Sequence, residues 1–368
     1  MVDRRHFKNF DFTLLSATLA IIAYGCAMIY SASSGGETGA GYVEKQIIWA
    51  MFGLIGAAIV ASIDHTIYHR HARTLYIIIV ITLVAVLLVG ESSKGAQRWI
   101  GYGWFRIQPS EFAKIVLIIT LAVFFVERAD RVRSLKTLAE SFVYLAIPLL
   151  LIFKQPDLGT SLVLLAVWIT MAFVAGTDSK NLVLIAVTGI VFALAVWYTP
   201  GVLKDYQRKR IITLINPSAD PLGSGYHVNQ SRIAVGSGQF LGKGFLKGTQ
   251  RELRFIPEQH TDFIFTVVAE ELGFVGAVSL LGLYFLVIWR ALNIMSAAED
   301  STGRLITAGV VGMFLFHVFV NVGMTLGIMP VTGVPLPLFS YGGSSLMANM
   351  MAIGLLEGIS MRRHRISF

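Results

Sequence analysis

The sequence predicts an all-α integral membrane protein, a polytopic bundle of about ten transmembrane helices with both termini cytoplasmic. Hydrophobic residues make up 55% of the 368 residues and charged residues only 14%, whereas soluble domains carry roughly 25% charged residues. Apolar runs that are long enough to cross a hydrocarbon core of about 30 Å also recur along the chain. We expect a single transmembrane domain that covers residues 1–368.

Ten segments qualify as membrane spans. They cover residues 11–31, 47–63, 74–90, 110–126, 140–153, 157–175, 181–198, 263–289, 305–327 and 343–361. The first span follows MVDRRHFKNF and is longer than the apolar core of a cleaved signal sequence, which is about 7–15 residues. We therefore expect it to remain as the first helix.

Lysine and arginine set the predicted orientation, because short cytoplasmic loops carry more of them than short outer loops. With the N-terminus inside, the inner loops and the C-terminal tail are the more basic set. Residues 199–262, between the seventh and eighth spans, form a long extracellular loop, since long loops translocate largely regardless of charge. Within it, DYQRKRIITLI suits an interfacial helix, and the glycine-rich part that follows suits a structured or re-entrant element.

Charge and cysteine content exclude several classes of site. The net charge of +8 does not indicate a nucleic-acid surface, because no soluble face is predicted to display it. The basic residues are interpreted as determinants of membrane topology and as phosphate contacts. The one cysteine, Cys26, excludes an internal disulfide and a cysteine-rich metal site. The eight histidines show no zinc-ligand spacing, so no metal site is assigned.

Four polar motifs stand at the starts of the fourth, sixth, eighth and tenth spans. They are RIQPSEFAK (106–114), KQPDLGTS (154–161), PEQHTDFIF (257–265) and LPLFSYGGSS (336–345). With the N-terminus inside, every even-numbered span begins outside, so all four motifs are predicted to meet at one membrane face. Helix N-termini favour anions, and Lys94, Arg98, Arg106 and Lys114 lie at the same level. This pattern predicts a site for a phosphate-bearing substrate in the outer leaflet.

Helix capping is the alternative explanation for these motifs, because serine and aspartate are favoured N-cap residues. The candidate caps are Ser110, Asp157, Asp262 and Ser344. Capping does not explain Glu111 and Lys114, which share a helix face inside a span, where each charge costs about 2.5–3.5 kcal/mol on insertion scales. Their presence indicates a functional site, with a structural ion pair as the alternative.

Other polar residues within the spans are harder to assign. Glu270 and Glu271 are adjacent in the eighth span and therefore point in different directions. The sequence does not give either of them a partner. His227 and His317 stand outside any ligand-like cluster and are interpreted as structural residues.

Long motifs of the chain resemble those of the SEDS family (shape, elongation, division and sporulation). They are KGAQRWI (94–100), QPSEFAK (108–114), KQPDLGTS, NPSADPLGSGYHVNQS (216–231), GSGQFLGKG (236–244), PEQHTDFIF and PVTGVPLPLFSYGGSS (330–345). The resemblance covers nearly the whole chain. DPLGSGYH and GIMPVTGVPLPLFSYGG bring it closer to the elongation members than to the division members.

The resemblance implies a peptidoglycan glycosyltransferase of the cytoplasmic (inner) membrane, with an active site that faces outside. Such enzymes polymerise lipid II into glycan strands for cell wall growth and cell shape. The resemblance further implies a class B penicillin-binding protein, a transpeptidase, as partner within the elongation machinery, and no nucleic acid. The family's essential aspartate falls on Asp262, its charged pair on Glu111 and Lys114, and its outer-loop arginine on Arg98.

The chemistry that this implies is one inverting displacement of polyprenyl pyrophosphate. Asp262 is assigned as the general base, and the alternative is that it holds a divalent cation, Mg²⁺ or Mn²⁺, against the pyrophosphate. Glu111 and Lys114 complete the catalytic assignment, with Glu111 orienting Lys114 or a substrate hydroxyl. The predicted substrate-binding residues are Arg98, Lys94, Gln108, Ser110, Gln155, Asp157, Gln230, Arg232, His260 and Ser340.

Two other function classes fit a membrane protein of this kind. A lipid II flippase would need a polar path that opens to both faces, whereas the unusual residues gather at one predicted face. A scaffold that only activates a transpeptidase would not need buried charges beside an outer cavity. The asymmetry favours an enzyme.

Overall fold

The computed structural model describes residues 9–33, 39–93, 96–102, 105–199, 208, 212–213, 223–249 and 259–362. This part of the chain contains ten long helices and one shorter one. In chain order they are α1 (Phe12–Ser33), α2 (Gly39–Ser62), α3 (His65–Val89), α4 (Pro109–Glu127), α5 (Leu135–Lys154), α6 (Leu158–Val174), α7 (Ser179–Tyr198), α8 (Ser224–Ser237), α9 (Ile264–Ala297), α10 (Ser301–Thr325) and α11 (Gly343–Met361).

Eight of these helices are long and apolar enough to cross a membrane, namely α1 to α5, α7, α9 and α10. Of the other two predicted spans, α6 is apolar but, with 17 residues, too short to be counted, and α11 has 19 residues but is not apolar enough. The prediction of an α-helical, multi-pass membrane protein is confirmed. The count of ten spans and the inside-out orientation stay predictions.

Two helices begin well before their predicted spans. Helix α2 begins at Gly39 rather than near residue 47, and α3 begins at His65 rather than near residue 74. The added turns contain polar residues in GYVEKQ and HTIYHRHART, which lower the local hydropathy. Backbone hydrogen bonding continues through them, because a helix does not have to end where the hydrocarbon core ends.

A small antiparallel sheet between α3 and α4 was not predicted. Its strands are β1 (Glu91–Ser93), β2 (Ala96–Tyr102) and β3 (Phe105–Ile107), in the order β1-β2-β3. Residue Ile100 pairs with Ile107 in the β2–β3 register. Strands this short leave no clear periodic signal in the sequence. The sheet carries Arg98 to the turn between α5 and α6.

Helices α4 and α10 form the centre of the bundle. Their apolar windows are 83% and 72% buried inside the protein, whereas none of the window of α7 is buried. Helix α10 packs against α4, α6 and α9, and α4 packs also against α3. Polar side chains on α4 and α10 therefore face other protein segments rather than lipid, and they need partners there.

Helix α9 is broken at Gly273, which has a φ of 62° and a ψ of −156°. The glycine-rich segment, residues 238–249, lies in this break and bonds to the backbone of α9. Phe274 N donates to Gln239 O at 2.9 Å, and Gly244 N donates to Glu271 O at 2.9 Å. The predicted structured element is thus confirmed for these residues. The predicted interfacial helix DYQRKRIITLI lies largely outside the described residues.

The same break accounts for the two glutamates that the sequence left unassigned. Glu270 Oε1 accepts hydrogen bonds from Lys243 Nζ at 2.7 Å and from Thr249 N at 2.9 Å. Glu271 accepts a bond from Ser31 Oγ at 2.6 Å. Both carboxylates are buried. Glu270 holds the glycine-rich segment against α9, and Glu271 holds both this segment and the end of α1. Both glutamates therefore have a structural role at this break.

Replacing Gly273 with alanine should destabilise the protein. Its backbone conformation is essentially restricted to glycine and costs other residues about 1–3 kcal/mol. An added Cβ would also lie 2.3 Å from Gly242 N. We expect Gly273→Ala to lower the thermal unfolding midpoint of the detergent-purified protein by several degrees. Gly282→Ala is the matched control on α9, since its Cβ would meet no atom within 4 Å. Equal midpoints for the two variants would contradict the prediction.

Candidate active site

The four polar helix starts meet at one end of the bundle, called here the site end. Gln108 Nε2, before α4, donates to Asp157 Oδ2, before α6, at 3.1 Å. Gln108 N donates to Ser344 Oγ, at the start of α11, at 2.9 Å. Ser340 Oγ donates to Thr261 O, before α9, at 2.7 Å. The convergence that the spans predicted is therefore present as direct hydrogen bonds.

Only one of the four candidate caps is an N-cap. Asp157 caps α6, where its side chain accepts a bond from Thr160 N at 3.2 Å. The other three predictions are wrong, since the N-cap positions of α4, α9 and α11 are Gln108, Phe263 and Gly342. Helix α4 begins at Pro109, whose fixed φ and missing N–H suit the first helical position. Phe263, and not Asp262, thus occupies the N-cap position of α9.

Glu111 and Lys114 form a buried ion pair on α4. Lys114 Nζ lies 2.8 Å from Glu111 Oε2, and the two residues are only 1% and 4% exposed. Their shared helix face was predicted from their spacing. Lys114 Nζ also lies 3.2 Å from His317 Nε2 on α10, and His317 Nδ1 lies 3.0 Å from Pro335 O. A chain of contacts therefore runs from the ion pair on α4 through His317 on α10 to the loop before α11.

The partners of His317 fix its tautomer. Pro335 O can only accept, so Nδ1 carries the proton, and the ammonium of Lys114 can only donate, so Nε2 accepts. His317 is a neutral imidazole that links a buried cation to a backbone carbonyl. No local sequence pattern indicates this link, because Lys114 and His317 are 203 positions apart.

Asp262 lies half-buried between α10 and the loop before α11. Its backbone oxygen accepts a bond from Asn321 Nδ2 at 2.8 Å. A Cβ on Gly333, which has a φ of +72°, would lie 3.1 Å from Asp262 Oδ2. Glycine at 333 therefore lets the loop backbone approach the carboxylate closely. Asn321 and Gly333 were not identified from the sequence.

Arg98 is tied to the turn between α5 and α6. Its Nε donates to Gln155 O at 2.9 Å, its Nη2 donates to Pro156 O, and its Nη1 lies 3.9 Å from Asp157 Oδ2. The side chain remains 29% exposed. Gln155 is 1% exposed, and its Nε2 donates to Leu83 O at 3.1 Å. Among these residues, Arg98 is the one with surface left for an incoming anion.

Ser110 and Ser340 are bonded to the protein itself. Ser110 Oγ accepts from Gln108 Nε2 at 3.0 Å and is 1% exposed. Ser340 Oγ donates to Thr261 O and accepts from Leu336 N at 2.9 Å, and it is 5% exposed. These bonds give both hydroxyls a structural role, and the substrate contacts predicted for them stay predictions.

His260 belongs to a group of three rings at the site end. Its centroid lies 4.8 Å from that of Tyr42 and 5.6 Å from that of Tyr341, and the two tyrosine rings are 4.9 Å apart. Tyr341 N donates to His260 O at 3.0 Å. Burial, with a smaller contribution from Tyr42, raises the pKa of Tyr341, so its hydroxyl is a neutral donor near pH 7. Tyr42 and Tyr341 were not among the predicted residues.

The remaining predicted residues stand on α8 or lie outside the described part. Gln230 and Arg232 stand on α8, which is joined to the end of α10 by a bond of 2.7 Å from Ser231 Oγ to Thr325 O. The side chain of Arg232 borders Gly327. Lys94 lies outside the described residues. The substrate contacts predicted for these residues stay predictions.

A family model for FtsW, RodA and SpoVE, described as cell cycle proteins, matches residues 12–365. The chain belongs to this family. It is 42% identical to the peptidoglycan glycosyltransferase MrdB of Escherichia coli (strain K12), over 100% of this chain and 99% of MrdB. It is 38% identical to the peptidoglycan glycosyltransferase RodA of Treponema pallidum (strain Nichols), over 98% of this chain and 99% of that protein.

Solved structures agree with the family assignment. The fold matches a chain of a peptidoglycan synthase complex that coordinates polymerization and crosslinking, with a TM-score of 0.83, 33% identity, and 97% of this chain and 99% of that chain covered. It matches the crystal structure of the rod shape determining protein RodA of Thermus thermophilus with a TM-score of 0.70, 30% identity, and 97% and 98% covered. The resemblance to SEDS proteins, on the elongation side, is confirmed.

A divalent cation would find few protein ligands in this FtsW/RodA/SpoVE family member. Among the described residues, no group of three or more His, Cys, Asp or Glu side chains is placed to hold a metal ion. Mg²⁺ is commonly bound through one or two carboxylates together with substrate phosphates. Asp262 fits that mode as the one protein ligand, and the ion would then neutralise charge on the pyrophosphate.

Removing one partner of the buried ion pair should cost more stability than removing both. Lys114→Met leaves Glu111 buried without its cation, a change that typically costs about 3–5 kcal/mol. We expect the double variant Glu111→Gln, Lys114→Met to recover part of that loss. Unfolding of the purified variants in a denaturing detergent titration measures both values. A double variant that is less stable than Lys114→Met alone would contradict the coupling.

Proposed function

We propose that this protein polymerises lipid II into glycan strands at the outer face of the cytoplasmic (inner) membrane during cell elongation. The coarser activity, that of a peptidoglycan glycosyltransferase, follows from its family and from the names of relatives that match along the whole chain. The observation that carries the finer proposal is the position of Asp262. The carboxylate lies at a convergence of polar helix starts, against the same loop that His317 and Asn321 bond.

The proposed reaction is a single in-line displacement. A hydroxyl oxygen of the acceptor sugar attacks the anomeric carbon of the donor, and a new C–O bond forms there. The bond from that carbon to the pyrophosphate oxygen breaks, and polyprenyl pyrophosphate leaves with the electron pair. The carboxylate of Asp262 accepts the proton of the attacking hydroxyl as general base. The configuration at the anomeric carbon inverts.

Two of the cations predicted at the site, Lys114 and Arg98, have different parts in this proposal. Lys114 is 1% exposed and already contacts Glu111 and His317, which supports a positioning role beneath the site instead of direct phosphate contact. Arg98 keeps 29% of its side chain exposed and stands at the site end. We assign contact with the departing pyrophosphate to Arg98, because a preorganised cation stabilises charge that develops in the transition state.

A transpeptidase is the proposed partner. One solved neighbour is part of a peptidoglycan synthase complex that coordinates polymerization and crosslinking. A glycan polymerase that leaves uncrosslinked strands outside the membrane needs such an activity beside it. We therefore propose a class B penicillin-binding protein as the partner of this chain.

Asp262→Asn should abolish polymerisation without unfolding the protein. The amide keeps the size of the side chain but cannot take the proton, so we expect a rate at least about a hundredfold lower, within the range of general-base contributions. Purified full-length protein is incubated with lipid II, alone and with a class B penicillin-binding protein, and the glycan products are sized. Asp178→Asn is the control, because it also removes one carboxylate but changes only the exposed N-cap of α7.

Four other outcomes would contradict parts of this proposal. Polymerisation by Asp262→Asn at the wild-type rate would exclude the general-base role. Movement of lipid II across vesicles without polymer from the wild type would indicate a flippase. Product formed only by the partner's own activity would indicate a scaffold. If added Mg²⁺ or Mn²⁺ restores Asp262→Asn, the carboxylate holds an ion and is not the base.

A further inference from the structure

We propose that Asn321 is a positioning residue for Asp262, which it fixes through the backbone. This inference rests on the proposed function of Asp262. Asn321 Nδ2 donates to Asp262 O at 2.8 Å and to Val334 O at 2.7 Å. One amide group on α10 thus holds both the segment that carries the carboxylate and the loop that lies against it.

The orientation of the amide follows from its partners. Backbone carbonyls only accept hydrogen bonds, so the NH₂ group of Asn321 has to face Asp262 O and Val334 O. Asn321 is 0% exposed, and its Oδ1 is buried without a hydrogen-bond partner among the described residues. Burying an unsatisfied oxygen costs about 1–3 kcal/mol. The amide therefore uses its hydrogen-bond donors and leaves its acceptor unused. This indicates that asparagine is needed at position 321 for the two bonds that it donates.

Asn321 acts together with His317 on one face of α10. The two residues are four apart and therefore lie one turn from each other. His317 bonds to Pro335 O at 3.0 Å, and Asn321 bonds to the preceding carbonyl, Val334 O. Gly333, next in the loop, is the residue whose Cβ would lie 3.1 Å from Asp262 Oδ2. Helix α10 thereby sets the loop and the carboxylate at a defined separation.

The consequence is a fixed position for the Asp262 carboxylate, which accepts the proton in the proposed reaction. The bond from Asn321 holds Asp262 at its own carbonyl, within the same residue as the carboxylate. Displacement of a catalytic group by about 1 Å can reduce a rate on the order of a hundredfold. The loss should appear in kcat rather than in KM, because Asn321 is buried and is not placed to touch lipid II.

Kinetics of lipid II polymerisation by the full-length protein test this inference. We expect Asn321→Ala to lower kcat about ten- to a hundredfold and to leave KM for lipid II within about twofold. Asn321→Leu is made in parallel, since it keeps the number and branching of the side-chain heavy atoms but removes both donated bonds, and the same loss is expected. Thermal unfolding in detergent records how far each variant is folded, and rates are taken per folded protein.

Asn349→Ala is the matched control. Asn349 is 1% exposed, its Nδ2 also donates two bonds, and its Oδ1 is likewise buried without a described partner. Its bonds stay within α11, on Ser345, so we expect kcat within about twofold of wild type. A kcat near wild type in either Asn321 variant, or equal losses in the Asn321 and Asn349 variants, would overturn the positioning role. If Asp262→Asn polymerises normally, the proposed function of Asp262 fails instead.

Discussion

A charge buried among membrane helices has to be paired, and the pairing of Lys114 organises the site end of this protein. The ammonium group is 2.8 Å from Glu111 and 3.2 Å from His317, which in turn bonds to Pro335 O. Because a lone charge in this place would be costly, α4, α10 and the loop before α11 are held in one arrangement. The position of Asp262 depends on that arrangement, since the same loop lies against its carboxylate.

Polar groups inside the bundle therefore serve largely to hold backbone segments that are not helical. Glu270 and Glu271 hold the glycine-rich segment in the break of α9, and Ser340 joins the residues before α11 to those before α9. Irregular backbone at membrane depth needs partners from protein, because lipid offers none. Ser340 holds Thr261, the residue before the half-buried Asp262, in this way.

Local patterns in the sequence were enough to predict the ten long helices, the convergence of their polar starts and the shared helix face of Glu111 and Lys114, but not the shorter helix α8. All of these depend on neighbours a few positions apart. The partners of Lys114 and Asp262 on α10, His317 and Asn321, are 203 and 59 positions away, and no local pattern marks them. Three candidate caps were also misplaced, since Ser110 and Ser344 lie two positions after the N-caps Gln108 and Gly342, and Asp262 lies one position before Phe263. At α4, Pro109 takes the first helical position, and the capping preference of Ser110 does not decide the start.

The division between buried and exposed cations bears on how such a site would work. Arg98 is bonded to the carbonyl oxygens of the α5–α6 turn, and Lys114 is enclosed by Glu111 and His317. In the proposed reaction, neither side chain would have to move into place when substrate arrives. Little reorganisation of these two cations would then accompany the departure of pyrophosphate. Preorganised charge of this kind favours a transition state over a ground state. A mobile polar path through the membrane would need the opposite, namely charges that exchange partners between two states, and the fixed contacts of α4 and α10 do not suit that requirement.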